Sequence, residues 1–229
     1  MLHRTAWGRS VLSAVCFALV AGCSADTPVA PDGPLTVYKI AGDRQIGIAG
    51  QPLLRALQIQ VWSGTRQVQD AAFSVEVTGG GSVDAGSRHT DRIGNAMLRW
   101  TLGETDGNNL LAVRVAGAEP KTFTATAVAV APENVYHYRS GLDEQRFIGL
   151  ADHGQFVAGD SRGCSGKGRY EISGATITFV VLATEPGVCP PLPELTGSID
   201  ETAIVFELKY YDDWDNDFTE LQTYSRGAP

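Results

Sequence analysis

The chain has 229 residues, 43% of them apolar and 19% charged, with 26 Gly and 11 Pro. That composition excludes an intrinsically disordered or wholly membrane-spanning protein and leaves room for two small domains. Its 18 Lys and Arg against 26 Asp and Glu give a net charge of −8 with no basic cluster, so recognition of nucleic acid by phosphate neutralisation is not expected.

The first residues carry His3, Arg4 and Arg9 ahead of an apolar stretch from Val11 to Ala21, the charged and hydrophobic regions of an export signal. This stretch is too short to span a bilayer as a mature helix. It ends in Leu19-Val20-Ala21-Gly22-Cys23, which resembles the lipobox of bacterial lipoproteins. The resemblance implies a signal peptide over 1–22, with Cys23 as the acylated N-terminus of the mature chain and its partner the lipid bilayer. Two or more acyl chains, at about 0.8 kcal/mol per buried CH2, anchor a protein without a spanning helix. Ser24 follows where an Asp would suggest retention at the inner membrane, so the outer membrane is the expected address. Residues 23–34 hold three Pro and few bulky apolar side chains and read as an extended tether. With Cys16 in the signal and Cys23 acylated, Cys164 and Cys189 remain as one candidate disulfide outside the cytoplasm. Closing about 25 residues would restrict the unfolded chain by about 3.5 kcal/mol.

From Leu35 to Val128 no long run has helical periodicity, while short alternating runs recur between Gly-rich turns. Leu57, Ile59 and Val61 alternate with polar residues, as do Phe73, Val75 and Val77. Val83 follows the Gly79-Gly80-Gly81 turn. Ala96, Leu98 and Trp100, then Leu111, Val113 and Val115, then Phe123 and Ala125 complete the set. Seven strands are expected, an Ig-like β-sandwich with no cysteine. Gly50-Gln51-Pro52-Leu53, Gly79-Gly80-Gly81-Ser82-Val83, Thr90-Asp91-x-x-Gly94-x-Ala96, Trp100-Thr101-Leu102-Gly103 and Val113-x-Val115-x-Gly117 resemble the bacterial Ig-like domain of the invasin and intimin type. One departure is the turn Trp62-Ser63-Gly64-Thr65-Arg66-Gln67-Val68, which lacks the Asp and Pro that family usually has there. The resemblance implies a rigid spacer or adhesion module without catalytic residues. Trp100 shares the phase of Ala96 and Leu98 and belongs to the core. Trp62, out of phase with Val61, is a candidate contact residue, and Arg88 and His89 belong to a solvated turn.

An Ala-Pro hinge at 129–132 precedes a second segment, 133–229. This segment holds 16 acidic and 7 basic residues, a net −9, against +1 for residues 35–130. Strands are expected at Val135 to Arg139, Gln145 to Leu150, Gly154 to Ala158, Gly168 to Ile172, Ala175 to Ala183, Leu195 to Ile199, Thr202 to Tyr211 and Phe218 to Tyr224. A two-residue turn, Ser173-Gly174, joins the fourth and fifth. Eight strands joined by short turns make an all-β meander, barrel or small sandwich. Leu150-Ala151-Asp152-His153-Gly154-Gln155-Phe156 with Gly168 to Phe179 loosely resembles the small lipocalin-like barrels of bacterial lipoproteins. By that resemblance the barrel mouth is the default ligand site, though a filled barrel fits the residues as well.

Asp213, Asp215 and Asp217 have the spacing of the first ligands of an EF-hand loop, but Phe218 stands where the loop needs Gly and Tyr224 where it needs Glu. The expectation is a solvated hairpin tip with at most weak Ca2+ binding, and no other cofactor. A millimolar site at millimolar Ca2+ would add only about 0.4 kcal/mol. Trp214, among the aspartates, is a candidate contact residue. No G-x-S-x-G elbow, zinc spacing or phosphate loop occurs, and Asp152-His153 sits in a tight turn where neighbouring side chains diverge. The chain therefore reads as a non-enzymatic, lipid-anchored envelope protein: an Ig-like spacer or adhesion module presents a C-terminal barrel to an envelope or surface protein or a glycan. The alternatives are a carrier of a small apolar ligand in the barrel and an inhibitor or binder of envelope enzymes.

Overall fold

The computed structural model describes residues 33–139, 145–162, 164–184, 194–211 and 217–226. The fold is all-β: two sheets packed face to face, followed by a closed eight-stranded barrel. The strands are β1 (Leu35–Ala41), β2 (Gln45–Ile48), β3 (Leu57–Ser63), β4 (Arg66–Gln67), β5 (Phe73–Thr78), β6 (Ser82–Asp84), β7 (Asn95–Thr101), β8 (Gly107–Val115) and β9 (Lys121–Val128). Those of the barrel are β10 (Val135–Arg139), β11 (Gln145–Ala151), β12 (Gln155–Asp160), β13 (Ser165–Ser173), β14 (Thr176–Thr184), β15 (Glu194–Ile199), β16 (Ala203–Tyr211) and β17 (Asp217–Arg226). Short 3-10 turns occur at Pro132–Asn134 and Asp152–Gly154, and no helix among the described residues is long and apolar enough to cross a membrane.

One sheet of the sandwich runs β1-β3-β7-β6, with β4 on β3, and the other runs β2-β9-β8-β5. Alternation decides what faces inward: Leu57, Ile59 and Val61 meet Leu98 and Trp100 from one sheet and Leu111, Val113 and Phe123 from the other, all buried in one core. Trp100 is 1% exposed, as its phase requires, and its indole Nε1 is buried without a hydrogen-bond partner among the described residues.

Two of the motif positions have a direct steric reason. Gly94 has φ 69°, and a Cβ there would lie 2.7 Å from the Val61 carbonyl oxygen, while Asp91 Oδ1 accepts from the Ile93 and Asn95 amides at 2.9 Å each. Gly81 has φ 84°, and its Cβ would fall 2.1 Å from the Thr101 oxygen. The departing turn closes as a hairpin in which Ser63 pairs with Arg66.

The sandwich has nine strands where seven were expected. The sequence pattern does not separate β1 and β2, because β2 is buried at all four positions and shows no alternation, whereas β1 buries only Val37 fully. The barrel follows the expected meander, every strand pairing antiparallel with the next and β10 closing on β17. One turn shifts by a residue: Ser173 pairs with Thr176, so Gly174 and Ala175 make the turn and the positive φ of 62° falls on Gly174.

Inward-facing rings occupy the described part of the barrel. Phe156 and Phe179 lie 4.9 Å apart between centroids, Phe179 and Phe206 5.7 Å, Phe206 and Tyr224 5.6 Å, and Tyr224 and Tyr138 5.3 Å. Such offset and edge-on pairs each add about 0.5–1.5 kcal/mol beyond burial. Arg226 ties the closing seam: Nε donates to the Glu133 carbonyl, Nη1 to Glu201 O at 3.2 Å and Nη2 to Asn134 Oδ1 at 3.0 Å.

The two units are docked. Strand β2 is an edge of its sheet, and its far side is covered by the outer wall of the barrel. Ile46, Ile48 and Val128 share an apolar cluster with Val135, Phe147, Ala151 and Val157, and the Ile46 amide donates to Ser165 Oγ at 2.9 Å. The Ile46 cap and the barrel wall over it cover this part of the edge against pairing with another chain.

Candidate functional site

The docking leaves a cleft of about 640 Å³ between the sandwich and the barrel. Its sandwich wall is made by β2, the Gln51–Leu54 segment and Arg99 of β7; its barrel wall is made by residues of β10 and β11, the outward ones together with Tyr138 and Arg146, and by the turn after β12. The phase of β10 explains the barrel side. Tyr136 and Tyr138 pack with the barrel interior, so Val135, His137 and Arg139 point out.

The floor is apolar, with Ile48 and Phe147 8% and 9% exposed. Phe147 fits because Gly159 lies beneath it: a Cβ at Gly159 would be 2.8 Å from the Phe147 ring. Gln45, 3% exposed, is fully paired, donating to Gly42 O at 2.8 Å and Arg55 O at 2.9 Å and accepting from Arg55 N at 3.3 Å.

The charged groups of the cleft are unequal in number. Arg99 and Arg139 are exposed and make no ion pair among the described residues, and Arg146 lies at the barrel end with its guanidinium 5.5 Å from the Tyr138 ring and 2.8 Å from Gln222 Oε1. The acid, Asp160, is engaged in its own turn: Oδ1 accepts from the Arg162 and Cys164 amides at 3.0 and 2.9 Å, and Oδ2 lies 3.5 Å from Arg162 Nη2. Burial, and then the charge of Arg139, hold His137 below the ordinary imidazole range, so it is neutral at neutral pH. The cleft thus carries positive charge on a chain of net −8. Nothing in it pairs a nucleophile with a base and an orienting group, and no group of three or more His, Cys, Asp or Glu converges on a metal position among the described residues.

The residues singled out in the sequence are not brought together. Cys23, Cys189, Asp213, Trp214 and Asp215 lie outside the described residues, and Asp217 opens β17 opposite Tyr211. Cys164 sits in the turn between β12 and β13, its amide on Asp160. Trp62 is half-buried on the outer face of β3; its ring meets Tyr38 edge-on at 6.5 Å and its Nε1 donates to Gln60 Oε1 at 2.8 Å. His89 is exposed, with Nδ1 2.9 Å from Asp70 Oδ1, and Asp152 and His153 are both exposed.

The sequence reading missed the cleft. Its signal lies in two runs that do not alternate, Gln45-Ile46-Gly47-Ile48 and Phe147-Ile148-Gly149-Leu150-Ala151, each buried at every position. A strand buried on both faces must touch a second layer, here the other unit.

No family model matches the chain, and no curated protein matches it by sequence. Among solved structures it is similar to the C-terminal 282-residue fragment of intimin, crystallised with the intimin-binding domain of the translocated intimin receptor, at 17% identity and a TM-score of 0.39 over 84% of this chain and 64% of that one. It is also similar to domains 5-6 of the surface layer protein SbsC, at 10% identity and a TM-score of 0.35 over 83% of both chains. Domains 4-9 of the same protein give 10% and 0.35 over 84% of this chain and 27% of that one. The chain therefore spans less than two thirds of the intimin fragment, and at these scores the likeness is one of fold alone.

Proposed function

We propose that this chain is a non-enzymatic protein of the bacterial envelope, held to the outer membrane through acylated Cys23, in which the Ig-like sandwich is a spacer that presents the barrel as a contact module to a surface protein or glycan. The observation that carries this reading is the docking itself. Ile46 and Ser165 join by a buried hydrogen bond inside a shared apolar cluster, which makes the sandwich a fixed mount for the barrel. The rings along the described barrel interior speak for a packed contact module over an apolar-ligand carrier. The anchor rests on Leu19 to Cys23 and the tether that follows. A bridge between Cys164 and Cys189 is part of the same reading, supported by these being the two cysteines that remain once Cys16 and Cys23 are assigned to the signal and the anchor.

The test is fractionation with labelled palmitate. Wild type should incorporate label and sediment with membranes, and Cys23→Ala should release the protein to the soluble fraction. An unlabelled wild type, or a variant that stays with the membrane, would refute the anchor. Intact mass before and after reduction should differ by two hydrogens; two free thiols in the undenatured protein would refute the bridge.

A further inference from the structure

We propose that the cleft between sandwich and barrel binds a single-chain amphipathic carboxylate, its head group held by Arg99 and Arg139 and its apolar part lying along Pro52, Leu54, Ile48 and Phe147. The proposal does not rest on the lipid anchor.

Three observations carry it. First, the cleft has a volume of about 640 Å³, within the roughly 300–1,000 Å³ of small-molecule sites. Second, its two exposed guanidiniums come from different units, Arg99 from the sandwich and Arg139 from the barrel, and neither has an ion-pair partner among the described residues. A guanidinium presents a planar fork of donors that matches a carboxylate, and two such forks lining one cleft of an acidic molecule form a local positive field that favours a small anion. The acid lining the cleft, Asp160, is tied to the Arg162 and Cys164 amides; Asp84, opposite Arg99 on the neighbouring strand, accepts the Gly86 amide at 2.9 Å; and the imidazole of His137 adds hydrogen-bonding capacity without charge. Third, the remaining surface is apolar: Leu54 is 37% exposed beside Pro52, above the buried Ile48 and Phe147. A purely ionic ligand would leave that surface wet, and a purely apolar one would leave the two arginines unused.

The experiment is calorimetric titration of the full chain carrying Cys23→Ser with laurate below its micelle concentration, beside dodecanol and dodecyltrimethylammonium. Laurate should bind saturably at one site. Affinity should fall tenfold or more in Arg99→Gln/Arg139→Gln and fall again with added salt, while Arg114→Gln, which alters an arginine paired with Glu76 on the sandwich surface, should leave it unchanged. Both cleft arginines are exposed, so the double variant should keep its melting temperature; if it does not, the two single variants replace it, each expected to lose threefold or more. Absence of saturable laurate binding would overturn the proposal, as would equal affinity in the arginine variants or equal binding of laurate and dodecanol.

Discussion

Replacing Ser165 by Ala removes one oxygen from the interface between the two units. Ser165 is 6% exposed, Ile46 is 7% exposed, and the hydroxyl accepts the Ile46 amide at 2.9 Å. The change is small in volume, so the cavity contribution is minor; the cost comes from a backbone N–H left buried on a covered strand edge. Leaving such a donor unpaired costs about 1–3 kcal/mol, which corresponds to about a 5- to 150-fold faster opening of that amide. Ser161→Ala is the matched control. Its Oγ accepts the Gln145 amide at 3.2 Å in an exposed turn, where water replaces the lost oxygen and the change should stay within about 0.5 kcal/mol. Urea unfolding gives the stability difference and amide exchange at Ile46 locates it. If Ser165→Ala matches the control in both measurements, the Ile46 amide is hydrated in solution and the docking argument fails.

Gly168→Ala should destabilise the barrel by about 1–3 kcal/mol or more, because the new Cβ would sit 2.0 Å from the Val180 oxygen and 2.7 Å from the Phe156 ring; an unchanged urea midpoint would contradict that packing. At Asp43 burial raises the pKa, but the hydrogen bond from Lys39, the Thr124 amide at 2.9 Å and the Lys39 charge together outweigh it and hold the carboxyl below its ordinary 3.8. Its contribution is therefore fully present above about pH 4 and lost as pH falls through the lower folded value. Wild type should lose more stability than Asp43→Asn between pH 7 and pH 3, and equal losses would refute the assignment. Arg226→Ala removes three donors and a guanidinium 6.0 Å from the Tyr136 ring. In that exposed setting it should cost about 1 kcal/mol and speed amide exchange in β10 and β17, whereas protection unchanged at the seam would show that it closes without this residue.

The barrel is legible in the sequence because each strand has one face inside and one outside. Ile177 and Phe179, or Ile204 and Phe206, mark that alternation, and turn residues bound each run. The same logic places Trp100 in the sandwich core. It fails at β2, where a second layer buries the outward residues as well and erases the alternation; at β11 the strand is legible but not the burial of both its faces. Ile46 and Ile48 read as a short apolar run without a partner until the barrel wall lies against them. Residues 129–132, after β9, show only Ala, Val and Pro in the sequence, and the seat of Val130 against Gly149, whose Cβ would meet it at 3.0 Å, depends on two units meeting in space. For the same reason the cleft arginines, 40 residues apart along the chain, carry no sequence signature.

Sandwich and barrel form one docked body. Nitrogen-15 relaxation of the backbone amides measures this, because rotational diffusion reports the size of the body to which each amide is fixed. The amides of β1–β9 and those of β10–β17 should share a single correlation time, that expected for the whole folded chain. Two distinct and shorter correlation times, one for each unit, would contradict it.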